Sequence, residues 1–193
     1  MKSDGKRKKI KISVIGKSSV GKTTMIKELM GQPEANVGDM KEFTLNLKVN
    51  DIDFDLIIIE NTFENLEKEN LNSLDGFLLV YSVDDKDSFV EAKKNHQLIV
   101  KKMGTKKFSL IFVGNKSDAN DGRKVLKEEG ERYCMETNVD FFEISSLEKT
   151  NVKECFLNLS QKILRFKYPE FFEIDGQEGN KTVNKTCKCF YEN

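Results

Sequence analysis

Ile10-Lys11-Ile12-Ser13-Val14-Ile15-Gly16-Lys17-Ser18-Ser19-Val20-Gly21-Lys22-Thr23-Thr24 is the stretch that decides the fold. Its first six residues alternate in polarity and stop at a glycine, which reads as a strand. From Lys22 onward, Met25, Ile26, Leu29 and Met30 recur at helical spacing, and Gly31 with Pro33 ends that helix. The loop between them matches G-x-x-x-x-G-K-[ST] in full, in the strand-to-helix position where that motif operates. Its glycines let the backbone wrap closely round phosphate, and successive N–H groups converge at the helix N-terminus. Lys22 places a point charge near the β- and γ-phosphates, and the Thr23 hydroxyl suits Mg²⁺. The candidate phosphate-binding residues are thus Gly16, Lys17, Ser18, Ser19, Val20, Gly21, Lys22, Thr23 and Thr24. The competing reading is a chance glycine-rich turn, which the flanking strand and helix speak against.

Beyond this unit, apolar runs bounded by turn signals alternate with amphipathic segments, the pattern of repeated β-α units. Phe43, Leu45, Leu47 and Val49 alternate with polar residues and predict a strand buried on one face. Asn50-Asp51 can turn it into the more continuous run Phe54–Ile59, giving one antiparallel hairpin in an otherwise parallel sheet. Phe77–Tyr81 and Leu110–Val113 are further buried strands. Ser88-Phe-Val-Glu91 has capping-box spacing and opens a long helix with an inner stripe of Phe89, Ala92, His96, Ile99, Val100 and Met103. His96 is read there as a helix-face residue at the core edge. A further helix is predicted from Val125 to about Met135, a strand over Val139–Ile144, and a last helix with Val152, Cys155, Phe156, Leu159, Ile163 and Phe166 inward. The expected fold is α/β: one doubly wound P-loop domain, a six-stranded, mostly parallel sheet with one antiparallel strand, flanked by about five helices.

At 193 residues the chain suits a single domain, divided as a basic extension at 1–8, the domain at 9–168 and a polar tail at 169–193. With 32 basic against 32 acidic residues it has no global drive toward nucleic acid or anionic membrane, and no nucleic-acid partner is expected. No apolar run approaches the roughly 20 residues of a membrane span, and the first strand is too short for a signal-peptide core. The expected location is the cytoplasm, at most peripheral to a membrane. Cys134, Cys155, Cys187 and Cys189 lack repeated pair spacing and read as free thiols.

Asn115-Lys116-Ser117-Asp118, directly after a buried strand, points to the base. A carboxylate there can accept hydrogen bonds from guanine N1–H and the exocyclic N2 amine. Adenine has neither donor at those positions and would leave the carboxylate unpaired, which discriminates strongly. The Lys116 stem can cover the face of the base, and Asn115 can tie this loop to the phosphate loop.

With both motifs in place, the chain resembles the Ras superfamily of small GTPases, in its Ras/Rab-like branch, over about residues 9–168. Gly76-Phe-Leu-Leu-Val-Tyr-Ser-Val-Asp-Asp-Lys-Asp-Ser-Phe89 resembles the family's strand and following helix start, and Ser145-Ser146-Leu147 stands in place of its S-A-K loop at the guanine oxygen. Ser18 and Ser19 resemble Rab members more than Ras. The resemblance implies a GTP/GDP switch with Mg²⁺, whose effector and regulator proteins meet residues 31–42 and 60–71.

The departures fall in both switches. Where the family has D-x-x-G-Q, this chain has Glu60-Asn61-Thr62-Phe63-Glu64. Glu60 can replace the aspartate near Mg²⁺, so Thr23 and Glu60 are the candidate metal residues. Phe63 replaces a glycine whose N–H meets the γ-phosphate. Glu64 replaces a glutamine that orients the attacking water, and a carboxylate repels the phosphate and lacks the amide donor. Lys22 and Glu64 are the candidate catalytic residues; the other reading of Glu64 is a solvated acid that leaves hydrolysis equally unassisted. Residues 31–42 are short and contain no threonine for Mg²⁺ and no aromatic residue for the base; Asn36 is nearest to the threonine position, and Thr44 is committed to a strand. The arginines Arg7, Arg123, Arg132 and Arg165 all lie outside both switches.

The ends carry less. Lys6-Arg7-Lys8-Lys9 reads as a solvated basic flank. Lys2 excludes N-myristoylation, and Cys187-Lys188-Cys189 is followed by Phe190-Tyr191-Glu192-Asn193, so no C-a-a-X box supports membrane association. The expected function is a GTP/GDP-binding switch with slow or impaired hydrolysis, in signalling or vesicle trafficking. The alternative is a pseudo-GTPase interaction module, nucleotide-independent or constitutively GTP-bound. A small P-loop kinase is a distant third, since it would need an arginine-rich lid.

Overall fold

A parallel strand buried on both faces reads as an almost unbroken apolar run, and that property places Gly76–Ser82 (β4) and Ser109–Asn115 (β5) at the sheet's interior. The computed structural model describes residues 7–31, 42–49, 52–66, 70–119 and 121–172. Within them six strands pair in the order β2-β3-β1-β4-β5-β6. Lys8–Gly16 (β1) lies parallel to both Ile52–Asn61 (β3) and β4, and β4 to β5. Asp140–Glu143 (β6) closes one edge, parallel to β5. Glu42–Val49 (β2) forms the other edge, antiparallel to β3 with Glu42 opposite Ile59 and Val49 opposite Ile52. Thr44 sits in this strand, exposed and paired with Ile57. The turn expected at Asn50-Asp51 lies outside the described residues, as do Asn36, nearly all of 31–42, Lys2, Lys6, and Cys187 with Cys189.

Helices cover both faces. Lys22–Leu29 (α1) and Val152–Lys167 (α5) enclose one core around Ile12, Val14, Phe54, Ile58, Phe156 and Leu159. Phe63–Leu66 (α2), Lys86–Met103 (α3) and Lys127–Thr137 (α4) cover the other, around Ile15, Phe77, Tyr81, Phe89 and Phe112. This is the expected doubly wound α/β fold with its single antiparallel strand. Among the described residues no helix is long and apolar enough to cross a membrane.

Several boundaries differ from expectation for identifiable reasons. Helix α3 starts two residues before Ser88, because the Asp85 carboxylate caps it by accepting from Asp87 N (3.0 Å) and Ser88 N (3.2 Å). Ser88 is instead fully buried in the first turn, its hydroxyl donating to Asp85 O at 2.7 Å. Val100 is about half exposed, one position round the helix from the buried Ile99. Helix α4 starts at Lys127, not Val125, because Val125 is held in the core by donating to Val83 O at 2.9 Å. Strand β6 is four residues long, since Val139 N bonds back to Cys134 O on α4.

His96 packs as the sequence suggests, 6% exposed on α3, with Nδ1 hydrogen-bonded to the Tyr133 hydroxyl of α4 at 2.8 Å. Burial holds its pKa below the ordinary value. As pH falls, the unfolded chain therefore takes up the proton first, and the stability present above the unfolded pKa is lost as pH drops toward the folded one. The free energy of unfolding should fall as pH drops through the ordinary histidine value of about 6.5, and His96→Gln should flatten that slope. Urea titrations at successive pH values measure both.

Candidate functional site

The parallel strands end along one side of the sheet, and β1 has β3 on one flank and β4 on the other. This is the topological switch point where doubly wound sheets place ligands. Five segments meet there: Lys17–Gly21 after β1, Glu60–Glu64 at the end of β3, Asp84-Asp85 after β4, Lys116–Asp118 after β5, and Ser145–Leu147 after β6.

The phosphate loop turns back on itself by backbone geometry. Ser19 and Gly21 have φ of 66° and 94°, and Gly21 precedes the first residue of α1. A Cβ at Gly21 would lie 2.3 Å from Asn115 Nδ2, and one at Gly16 would lie 2.4 Å from Val80 O. Lys22 folds over the loop, its Nζ donating to Gly16 O and Lys17 O at 2.9 Å each, and is only 6% exposed. Burial pushes its pKa below the lysine range, and the charges of Glu60 and Glu64 push back. Ser18, Ser19, Thr23 and Thr24 are exposed to solvent.

Asn115 joins the loops. It is 1% exposed; its Nδ2 donates to Val20 O at 2.8 Å, and its Oδ1 accepts from Ser146 N at 3.2 Å and Ser146 Oγ at 3.0 Å. One side chain thus connects the phosphate loop, the end of β5 and the Ser145–Leu147 loop. Asp118, half-buried, accepts a hydrogen bond from the buried Ser145 hydroxyl. Lys116 sits in the left-handed region with φ 63° and extends its stem to pair with Asp84 at 3.2 Å. Leu147 is 78% exposed at the mouth.

The Thr23 hydroxyl donates to Glu60, with Oε1 at 2.7 Å and Oε2 at 3.0 Å, so glutamate's extra methylene does reach this position. Phe63 differs from any mobile glycine: it is 5% exposed, in the cluster with Ile15, Leu71, Leu74 and Phe77. Glu64 follows it on α2, exposed. Hydrogen bonds from the Thr62 side chain and its own backbone, with a contribution from Lys22, hold its carboxyl below the usual range.

Three residues escaped the sequence reading. Asp84 and Asp85 lie among the site's lysines, and an N-capping aspartate ahead of Ser88 was the available signal. Arg123 clamps Glu143 through both nitrogens at 2.7 and 3.1 Å and also reaches Ser117 O at 3.4 Å, fixing the loop that holds Asp118. No short motif announces it.

Removal of Asn115 tests the joint. Asn115→Ala loses three hydrogen bonds at about 1 kcal/mol each, so about 3 kcal/mol of unfolding free energy should disappear. Gly21→Ala should produce a comparable loss by displacing the same side chain, as read from urea midpoints of the nucleotide-free protein.

The model of the Ras family matches residues 11–165, a span that contains every one of these segments. The Ras-like protein rasU of Dictyostelium discoideum is 28% identical over 200 residues, covering 93% of this chain and 92% of its own. The mouse GTP-binding protein Rit1 is 28% identical over 160 residues, covering 79% and 73%. A zebrafish Ras-like protein family member 11A-like is 30% identical over 174 residues, covering 82% and 69%. The strand order, the phosphate loop closed by Lys22 and the base loop tied through Asn115 agree with that match, and the chain belongs to the Ras family of small GTPases.

Proposed function

We propose that this protein is a guanine-nucleotide switch that binds GTP and GDP with Mg²⁺ and hydrolyses GTP slowly. The observation that supports the binding half is the Asn115 joint, which ties the phosphate loop to a base loop bearing a carboxylate. Residues 16–24 would surround the phosphates, Asp118 would accept from the guanine edge, and Lys116 with the Ser145-Ser146-Leu147 loop would frame the base. Asp118 already accepts from Ser145, which fixes its orientation before any base arrives.

The donor set at Thr23 and Glu60 fits Mg²⁺. The threonine proton is committed to Glu60, which leaves oxygen lone pairs for a cation, and Glu60 has the charge to hold a metal-bound water. Among the described residues there is no cluster of three or more His, Cys, Asp or Glu suited to a metal, so the remaining ligands would come from phosphate oxygens and water. When bound, Mg²⁺ would neutralise charge on the β- and γ-phosphates.

Slow hydrolysis follows from α2. Bringing the backbone of residue 63 toward a γ-phosphate would withdraw a buried phenylalanine from the core, a change that costs about 3–5 kcal/mol when such a side chain is lost. Glu64 adds a negative charge after Phe63 and has no amide to orient water. Neither gap is filled by an arginine from this chain, since Arg123 is engaged with Glu143 and the others lie outside both switches.

Two measurements test this. In competition binding, GDP should displace a labelled guanine nucleotide far better than ADP, and Asp118→Ala should weaken GDP at least a hundredfold. Equal displacement by GDP and ADP would overturn the assignment of the base. In single-turnover hydrolysis, Phe63→Gly with Glu64→Gln should be faster than the parent by on the order of tenfold, each alone giving less because the two contacts act as a unit. A parent already as fast as the double variant would refute the slow-hydrolysis reading. Intact binding with no turnover in either protein would favour a constitutively GTP-bound interaction module.

A further inference from the structure

We propose that Asp84 and Asp85 set the rate of nucleotide release by competing with the nucleotide for the two exposed lysines of its site. This rests on the guanine-nucleotide reading above. The two carboxylates follow β4 in sequence and so fall between the phosphate loop on β1 and the base loop on β5, the neighbours of β4 in the sheet. Asp85 Oδ2 lies 3.2 Å from Lys17 Nζ, and Asp84 Oδ2 lies 3.2 Å from Lys116 Nζ. Each carboxylate is held by its other oxygen. Asp85 Oδ1 caps α3 through Asp87 N and Ser88 N, and Asp84 Oδ1 accepts from the Ser82 hydroxyl. The acids are anchored through their second oxygens, and the pairs hold Lys17 and Lys116 toward the α3 N-terminus.

All four side chains are about one-third exposed, so the pairs break readily and neither is a core interaction. The third lysine, Lys22, is held by the Gly16 and Lys17 carbonyls instead. Lys17 and Lys116 are thus the cations that a phosphate-bearing ligand must share with fixed acids. The expected consequence is a lower electrostatic hold on nucleotide than the same loops would exert alone, and faster release.

Asparagine at both positions keeps the cap and the Ser82 contact while removing the charge. Labelled GDP bound with Mg²⁺ should leave the Asp84→Asn/Asp85→Asn variant about tenfold more slowly than the parent. Asp55→Asn, which removes a carboxylate paired with Arg7 at the opposite end of the strands, should leave the rate unchanged. In a Lys17→Gln background, Asp85→Asn should slow release less than in the parent, because the carboxylate acts through that lysine; a purely structural cap would not show this coupling. Unchanged or faster release in the double variant, or equal slowing with and without Lys17, overturns this proposal alone. A parent that takes up no labelled GDP overturns the functional reading with it.

Discussion

The site depends on the side chain of Asn115. β1, β5 and β6 each end in a loop; Ser117 N donates to Ile144 O at 3.0 Å between the last two, and the phosphate loop after β1 is tied in by a side chain. Asn115 supplies the link with one donor and one acceptor group, both used and both buried, to Val20 on one side and Ser146 on the other. Gly21 is glycine because any Cβ there would occupy the place of the Asn115 amide. Arg123 then fixes the outer part of the base loop to β6 through Glu143. In a low-dielectric setting such a network is satisfied in only one arrangement, which gives the ligand a preformed frame.

The second switch has a different character. A glycine after the metal-side acid leaves the backbone free to follow the phosphate; Phe63 anchors it to the core instead. That segment is fixed in position, with Glu60 meeting Thr23. On the proposed function, the site would be biased toward holding a nucleotide and away from activating water. The acids at 84 and 85 would bias it again, toward letting the nucleotide go.

Sequence made the sheet and the phosphate loop legible because their signals are local: alternation in β2, unbroken apolar runs in β4 and β5, and a glycine pattern with a lysine at fixed offset. The Asn115 tie was legible too, since the motif carries its own geometry. What was not legible depends on elements brought together by topology. Lys17 and Asp85 are 68 residues apart and meet only because β1 and β4 are neighbours. The burial of Phe63 could not be read from one aromatic in a polar segment with no periodicity. Ser88 and Val125 misplaced helix starts for different reasons: the Asp85 cap puts Ser88 inside the first turn, and a backbone bond to Val83 holds Val125 in the core ahead of α4.

The central claim is that a preformed guanine-nucleotide frame is coupled to a second switch pinned by Phe63. Amide hydrogen exchange of the protein with Mg²⁺ and either GDP or a non-hydrolysable GTP analogue reads both parts at once. The account predicts added protection in residues 16–24 and 115–118 with both guanine nucleotides, no such protection with an ATP analogue, and the same exchange in residues 63–65 in the two guanine-bound states. Equal protection by the ATP analogue, or a large change at residues 63–65 between the GDP and GTP-analogue forms, would contradict it.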